Sequence, residues 1–278
     1  MKTMRVGGQA VIEGVMMKAG SNIAVAVRTP SGEIKVKKEK LRWKESKIPF
    51  LRGVVNLFIM LYTGMKTLSF SADVASGGEG EVKSSSLIIS GVLALVFGLI
   101  LFKFLPLGAA SLIDNKFGLS SVWFNVVDGF IRFGIILIYI VLISQMKDVR
   151  RVFQYHGAEH KTVNCFEAGK ELTVKNVQSF STVHKRCGTT FVFLVVLISL
   201  FIFMLIPKSL GFTWLLGLRI LLLPVIASIS YEVLMLGAKV ELLKPLILPG
   251  LLVQKLTTQE PDDKQVEVAI ASLKAALQ

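Results

Sequence analysis

The stretch TFVFLVVLISLFIFMLIP, residues 190–207, decides the fold class of this chain. It carries no charged side chain, and Thr190 and Ser199 are its only polar ones. Crossing a bilayer takes about 20 mostly apolar residues in a helix, and this run is close to that. Three further stretches are of the same kind: residues 87–106, interrupted by Lys103; residues 122–146; and residues 212–238, which hold Arg219, Pro224 and Glu232. Only a few residues around Lys208 separate the last two runs, so they are expected to form an antiparallel hairpin. Arg219, near one end of its run, is expected to snorkel toward the interface. Residues 50–72 are apolar but broken by Arg52, Asn56, Gly64 and Lys66, and read as interfacial or re-entrant. Residues 240–256, with Lys244, Pro245 and Pro249, read as a broken or interfacial segment.

Composition agrees with the runs. The 278 residues are 53% hydrophobic without counting glycine, above the usual soluble range, and the mean hydropathy is +0.63. The net charge of +13 is distributed by segment. Residues 1–83 carry 14 Lys and Arg, residues 147–189 carry eight, and the tail from Lys239 carries five, whereas the two intervening loops hold only Lys116 and Lys208. By the positive-inside rule both termini and the 147–189 loop are cytosolic. This asymmetry accounts for the basic balance, and without an aromatic-interleaved basic motif no nucleic-acid partner is expected. The opening 48 residues lack the apolar core of a cleavable signal.

The expected architecture is an all-α polytopic membrane protein of about four transmembrane helices with a small cytosolic N-terminal β-hairpin. Residues 1–48 form the β-rich segment. Residues 49–86 make an interfacial or re-entrant helix and a linker, flexible around Ser76–Gly80 and Ser84–Ser86. Residues 87–256 make the membrane domain, and residues 257–278 a cytosolic tail helix capped by Asp262 and Asp263. The hairpin rests on Ile23–Arg28 and Glu33–Lys37, both strand-like, around the turn residues Thr29-Pro30-Ser31-Gly32.

All three histidines and both cysteines lie between His156 and Cys187, in the loop between the second and third runs. His156-Gly157-Ala158-Glu159-His160 suits a helix, on which residues three and four apart share a face. Two imidazoles at that spacing can hold one metal ion, with the neighbouring carboxylate placed to activate water; the order is that of the inverted zinc-protease pattern. His184 and Cys187, three apart on a turn just before residue 190, offer a second chelating pair. The candidate metal ligands are therefore His156, His160, His184 and Cys187, for zinc or another divalent transition metal, with Glu159 as general base. Cys165 falls off that helix face and reads as a buried small residue; Glu167 lies two turns along and reads as solvated or as a partner to a ligand. Glu232, inside an apolar run, is a candidate for function or ligation, or pairs with a cation. Glu13, among glycines, either folds over the site as an extra ligand or acid, or caps a loop.

Gly7-Gly8-Gln9-Ala10-Val11-Ile12-Glu13-Gly14-Val15-Met16-Met17, His156-Gly157-Ala158-Glu159-His160-Lys161, His184-Lys185-Arg186-Cys187-Gly188-Thr189, Ser230-Tyr231-Glu232 and Leu256-Thr257-Thr258-Gln259-Glu260-Pro261 resemble the signature stretches of the bacterial YqhQ-type membrane proteins. The resemblance spans nearly the whole chain. It implies a multi-pass protein of the bacterial cytoplasmic membrane with a metal-dependent enzymatic role and no assigned substrate. Lys185 stands where that family usually has proline, a change that leaves His184 and Cys187 in place.

Three readings of function compete. The first is a metal-dependent hydrolase, zinc foremost, acting at the cytosolic membrane face on a lipid-linked or membrane-associated substrate. The second is a non-catalytic scaffold or assembly factor whose metal only staples two spans. The third is a transporter, suggested by Glu232 and the prolines.

Overall fold

A computed structural model describes residues 6–77 and 84–278, with side chains from residue 89 onward in the second stretch. Residues 78–83 of the expected linker lie outside the described ones. The N-terminal part is larger than the expected hairpin. Strands β1 (Val6–Val11), β2 (Gly14–Ala19), β3 (Asn22–Arg28) and β4 (Ile34–Lys40) form one antiparallel meander in the order β1-β2-β3-β4. The expected hairpin is its β3–β4 half, closed around residues 29–33. Both faces of β2 and β3 are covered, so neither strand shows a polar face. Val15, Met17, Ala24 and Ala26 pack on one side; Met16, Ile23, Val25 and Val27 pack on the other.

The helices are α1 (Leu51–Ala75), α2 (Ser84–Leu99), α3 (Leu105–Phe117), α4 (Ser121–Ser144), α5 (Lys147–Glu167), α6 (Val174–Gln178), α7 (Gly188–Met204), α8 (Phe212–Leu221), α9 (Leu223–Gly237), α10 (Lys244–Thr257) and α11 (Asp263–Ala276). Helix α11 starts on a reciprocal cap: the Asp262 carboxylate accepts from the Gln265 N–H at 2.8 Å, and the Gln265 amide oxygen accepts from the Asp262 N–H at 2.9 Å. Its stripe of Val266, Ala269 and Leu273 joins Tyr155, Ala158 and Val163 of α5 against the sheet. The first strands, the last helix and α5 thus share one core, which places both ends of the described chain on the same side of the molecule.

Three helices, Leu51–Ala75, Ile89–Phe117 and Ser121–Ser144, are long and apolar enough to cross a membrane. The number becomes four if α8 and α9, bent by 45°, make one span. The first expected run does not stop at Pro106. A π turn over Ile100–Phe104 precedes it, Pro106 falls in the first turn of α3 where its missing N–H matters little, and the helix continues to Phe117. Residues 50–72 are not broken either: α1 is continuous, and Asn56, Gly64 and Ser71 are buried. Leu93, Leu95, Phe130, Ile138 and Trp214 stand exposed on the outer surface of these helices, an apolar face suited to lipid rather than to water.

Arg219 does not snorkel. It is 1% exposed and turns inward, with the Asn125 side-chain oxygen at 2.5 Å and the Asp128 carboxylate at 3.0 Å. Arg132 shares that carboxylate at 2.5 Å and reaches the Ser199 hydroxyl at 3.1 Å. Both guanidinium groups also lie about the Phe203 ring, at 5.3 and 4.9 Å from its centre.

The segment after α10 is tied to α5, where the Gln259 N–H donates to the Phe153 carbonyl at 3.0 Å. A Cβ on Gly157 would run into the Gln259 backbone carbonyl. Gly157→Ala is therefore expected to destabilise the protein by about 1–3 kcal/mol despite alanine's better helix propensity. Gly129→Ala, where the new methyl meets only the end of the Leu200 side chain, is expected to cost far less. Thermal unfolding of the two variants in detergent makes the comparison.

Candidate functional site

Helix α4 passes into α5 after only Gln145 and Met146, so the His/Cys segment starts where the apolar helices end. On α5, His156 and His160 lie one turn apart with ring centres 4.4 Å from each other. Cys187 caps the start of α7, its sulfur accepting from the Thr189 N–H at 3.3 Å. The two elements meet: the Cys187 Sγ lies 3.3 Å from the His156 Nε2. One ligand atom each from His156, His160 and Cys187 falls within 4.8 Å of the others. In a tetrahedral zinc site such atoms are about 3.5 Å apart, so the set fits one ion after small adjustments.

The backbone fixes how the imidazoles face. His156 Nδ1 lies 2.9 Å from the Thr257 carbonyl and His160 Nδ1 lies 2.6 Å from the Thr182 carbonyl. Each carbonyl accepts from an Nδ1–H, which leaves Nε2 unprotonated and available as a ligand, an arrangement usual for metal-binding histidines. Burial pushes the His160 pKa down, which keeps that ring neutral.

Glu159 sits on the same helix and lines a cavity of about 420 Å³ together with His156, His160, His184 and Cys187. It is 5% exposed, and burial raises its pKa against the opposing pull of His156, His184 and the Gly8 N–H. One carboxylate oxygen faces Gly8, where a side chain would crowd it at 3.3 Å. The other, Oε2, is buried without a hydrogen-bond partner, which is costly unless something else engages it.

The other predicted residues are placed as follows. His184 lines the cavity but is not one of the three convergent residues. Its ring centre is 5.7 Å from that of His160, and its Nε2 lies 3.4 Å from Glu167. Glu167 is thus the partner of a candidate ligand, and it also pairs with Arg186. Glu13 sits in the β1–β2 turn, paired with Arg151 and 3.3 Å from the Tyr155 hydroxyl; it locks the sheet to α5 and lies outside the cavity lining. Glu232 takes the cation-pairing role: it accepts from Arg52 at 2.7 Å and from the Phe50 N–H at 3.0 Å. Cys165 is buried in the core beneath the sheet.

Several contributors bear no ligand or acid chemistry of their own, although Gly8 and Thr257 fall within the family-like stretches. Gln254 of α10 clamps the His184 turn, accepting from the His184 N–H at 3.0 Å and donating to its carbonyl at 2.9 Å. Thr182 and Thr257 act through main-chain carbonyls, which any residue provides. Gly8 makes room for Glu159 by having no side chain.

The Glu167 carboxyl is held below the ordinary range by its hydrogen bond with His184 and by Arg186. A lowered folded value means the group stabilises fully above the ordinary carboxylate pKa, about 4.3, and that this stabilisation is lost as the pH falls through the lowered value. Glu167→Gln is expected to remove that part of the acid limb below about pH 4, as measured by unfolding midpoints from pH 7 downward.

Residues 48–278 match the family described as Protein of unknown function (DUF1385). A Bacillus subtilis (strain 168) protein described as Uncharacterized protein YqhQ is 37% identical over 294 residues, an alignment that covers 98% of this chain and 92% of the relative. No solved structure matches. The family match contains His156, Glu159, His160, His184 and Cys187, whereas Gly8 falls within the alignment to the Bacillus relative only.

Proposed function

The chain belongs to the DUF1385 family, whose description assigns no activity, and we propose from the site itself that it is a metal-dependent hydrolase, zinc foremost, at the cytosolic face of the bacterial cytoplasmic membrane. The convergence of His156, His160 and Cys187 beside a buried carboxylate with a free oxygen carries this reading. A divalent ion there supplies Lewis acidity, lowering the pKa of water and polarising an acyl or phosphoryl oxygen. His156 and His160, oriented by the Thr257 and Thr182 carbonyls, and Cys187 at the α7 cap would hold the ion. Glu159 takes a proton from water on the cavity side and returns it to the leaving group, its other oxygen lying against Gly8. With three protein ligands, a bound ion would keep one position for catalysis.

The basic segments and the shared core of sheet, α5 and α11 support a topology with both termini cytosolic. The lipid bilayer is the partner that the exposed apolar helices imply. A lipid-linked or membrane-associated substrate follows from a site at the junction of α4, α5 and α7.

One observation favours the staple reading instead. His184 is near enough to His160 to become a fourth ligand by releasing Glu167, which would close the site. Metal analysis after gentle purification tests the shared premise. About one equivalent of zinc is expected, and His156→Ala is expected to lose it. A metal-free protein with His156→Ala equally stable would overturn both readings.

A further inference from the structure

Strand β1 is an edge strand, and its free side opens on the site. Hydrogen-bonding direction alternates along an antiparallel strand. The Arg28 N–H donates to the Glu13 carbonyl, so Gly14 points its own main-chain groups toward Val11, and the pairs Ala10–Val15 and Gly8–Met17 are non-bonded ones. Val6, Gly8, Ala10 and Ile12 therefore direct N–H and C=O away from β2. Along this edge Gly8 sits against one oxygen of the Glu159 carboxylate, and the Ile12 N–H donates to the Ser71 hydroxyl at 3.1 Å. Between them the Gly8 carbonyl and the Ala10 N–H remain without a partner among the described residues, and both residues line the cavity of Glu159, His156 and Cys187.

We propose that this edge binds an extended peptide segment and that the substrate of the site is a peptide bond. The inference rests on the hydrolase reading and narrows it. A donor and an acceptor two residues apart on a free sheet edge are what another extended backbone pairs with. Gly7 and Gly8 carry no side chains beside this edge, so a second backbone can approach closely. The pairing brings that backbone against Glu159, because Gly8 itself adjoins this carboxylate and both line the cavity. An anionic headgroup fits less well. Among the described residues Arg186 is the only Lys or Arg lining the cavity, and it is already paired with Glu167. In the reaction the oxygen of water bonds to the scissile carbonyl carbon and the C–N bond breaks. Glu159 carries one water proton to the departing nitrogen, and the other leaves to solvent as the new carboxylic acid ionises, giving a carboxylate and an amine with no redox change.

The test uses the full chain in nanodiscs with zinc added, and two probes: acetohydroxamate and an N-acetylated tripeptide hydroxamate. The tripeptide probe is expected to bind at least about tenfold more tightly, the range of one or two added backbone hydrogen bonds. It is also expected to slow amide exchange in residues 6–11. Ala10→Pro, which removes the free N–H on the edge side of the strand, is expected to erase the ratio of the two affinities. Equal affinities with no protection of residues 6–11 would overturn the peptide assignment while leaving the hydrolase reading intact. Failure of acetohydroxamate to bind, together with absent zinc, would remove the hydrolase reading and the peptide assignment with it. Exchange in the unaltered chain decides the matter even where Ala10→Pro does not fold.

Discussion

Glu159→Gln is expected to keep its bound zinc and to lose about 10²–10⁴-fold in hydrolytic rate, the usual effect of removing a general base. Glutamine has the same shape, still fits beside Gly8 and cannot take a proton. The ligand atoms of His156, His160 and Cys187 come from neighbouring positions and from α7, so metal content is expected to stay unchanged. Zinc-dependent hydrolysis of a 4-nitrophenyl ester by the two proteins, normalised to bound zinc, gives the ratio. The variant is also expected to be no less stable than the parent, because it puts a neutral amide where burial disfavours a charge. Unchanged hydrolysis at full zinc occupancy would assign the metal to the staple role.

Asp128→Asn is expected to destabilise the helical part of the protein by about 3–5 kcal/mol, the cost of leaving a buried charge uncompensated. Asp128 is 1% exposed and faces two guanidinium groups at 1% and 3% exposure. Taking away its charge leaves both cations among apolar side chains, with Phe203 and the Ser199 hydroxyl as poor substitutes. The loss is read from unfolding in mixed detergent. Adding Arg219→Leu to the variant is expected to recover part of it, because one of the two orphaned charges goes too. Additive losses in the double variant would show that the pair is not coupled.

Much of the site was legible because helix geometry is local. His156 and His160 at four-residue spacing need only a helix to share a face, and Cys187 needed only its turn to reach the same end of the bundle. His184 was not separable from Cys187 by spacing: a turn projects its residues according to its closure, and Gln254 from a distant helix sets that closure. Strands β1 and β2 escaped notice for a different reason. Gly7 and Gly8 have poor strand propensity, and Val15, Met16 and Met17 are buried in succession because helices cover both faces of the sheet, which erases the alternation that marks a half-exposed strand. Arg219 was misplaced because its partner Asp128 is 91 positions earlier in the chain, and nothing short-range ties them.

Cys187 immediately precedes the first residue of α7, so the proposed metal site is anchored to a fixed height along the bundle. A lipid-linked or membrane-associated substrate, as proposed above, would arrive there by lateral diffusion in the plane of the lipid. The encounter rate then scales with molecules per unit area rather than with bulk molarity. Diluting the protein and its target together into more vesicles would slow turnover, while enlarging the aqueous volume around the same vesicles would leave it unchanged.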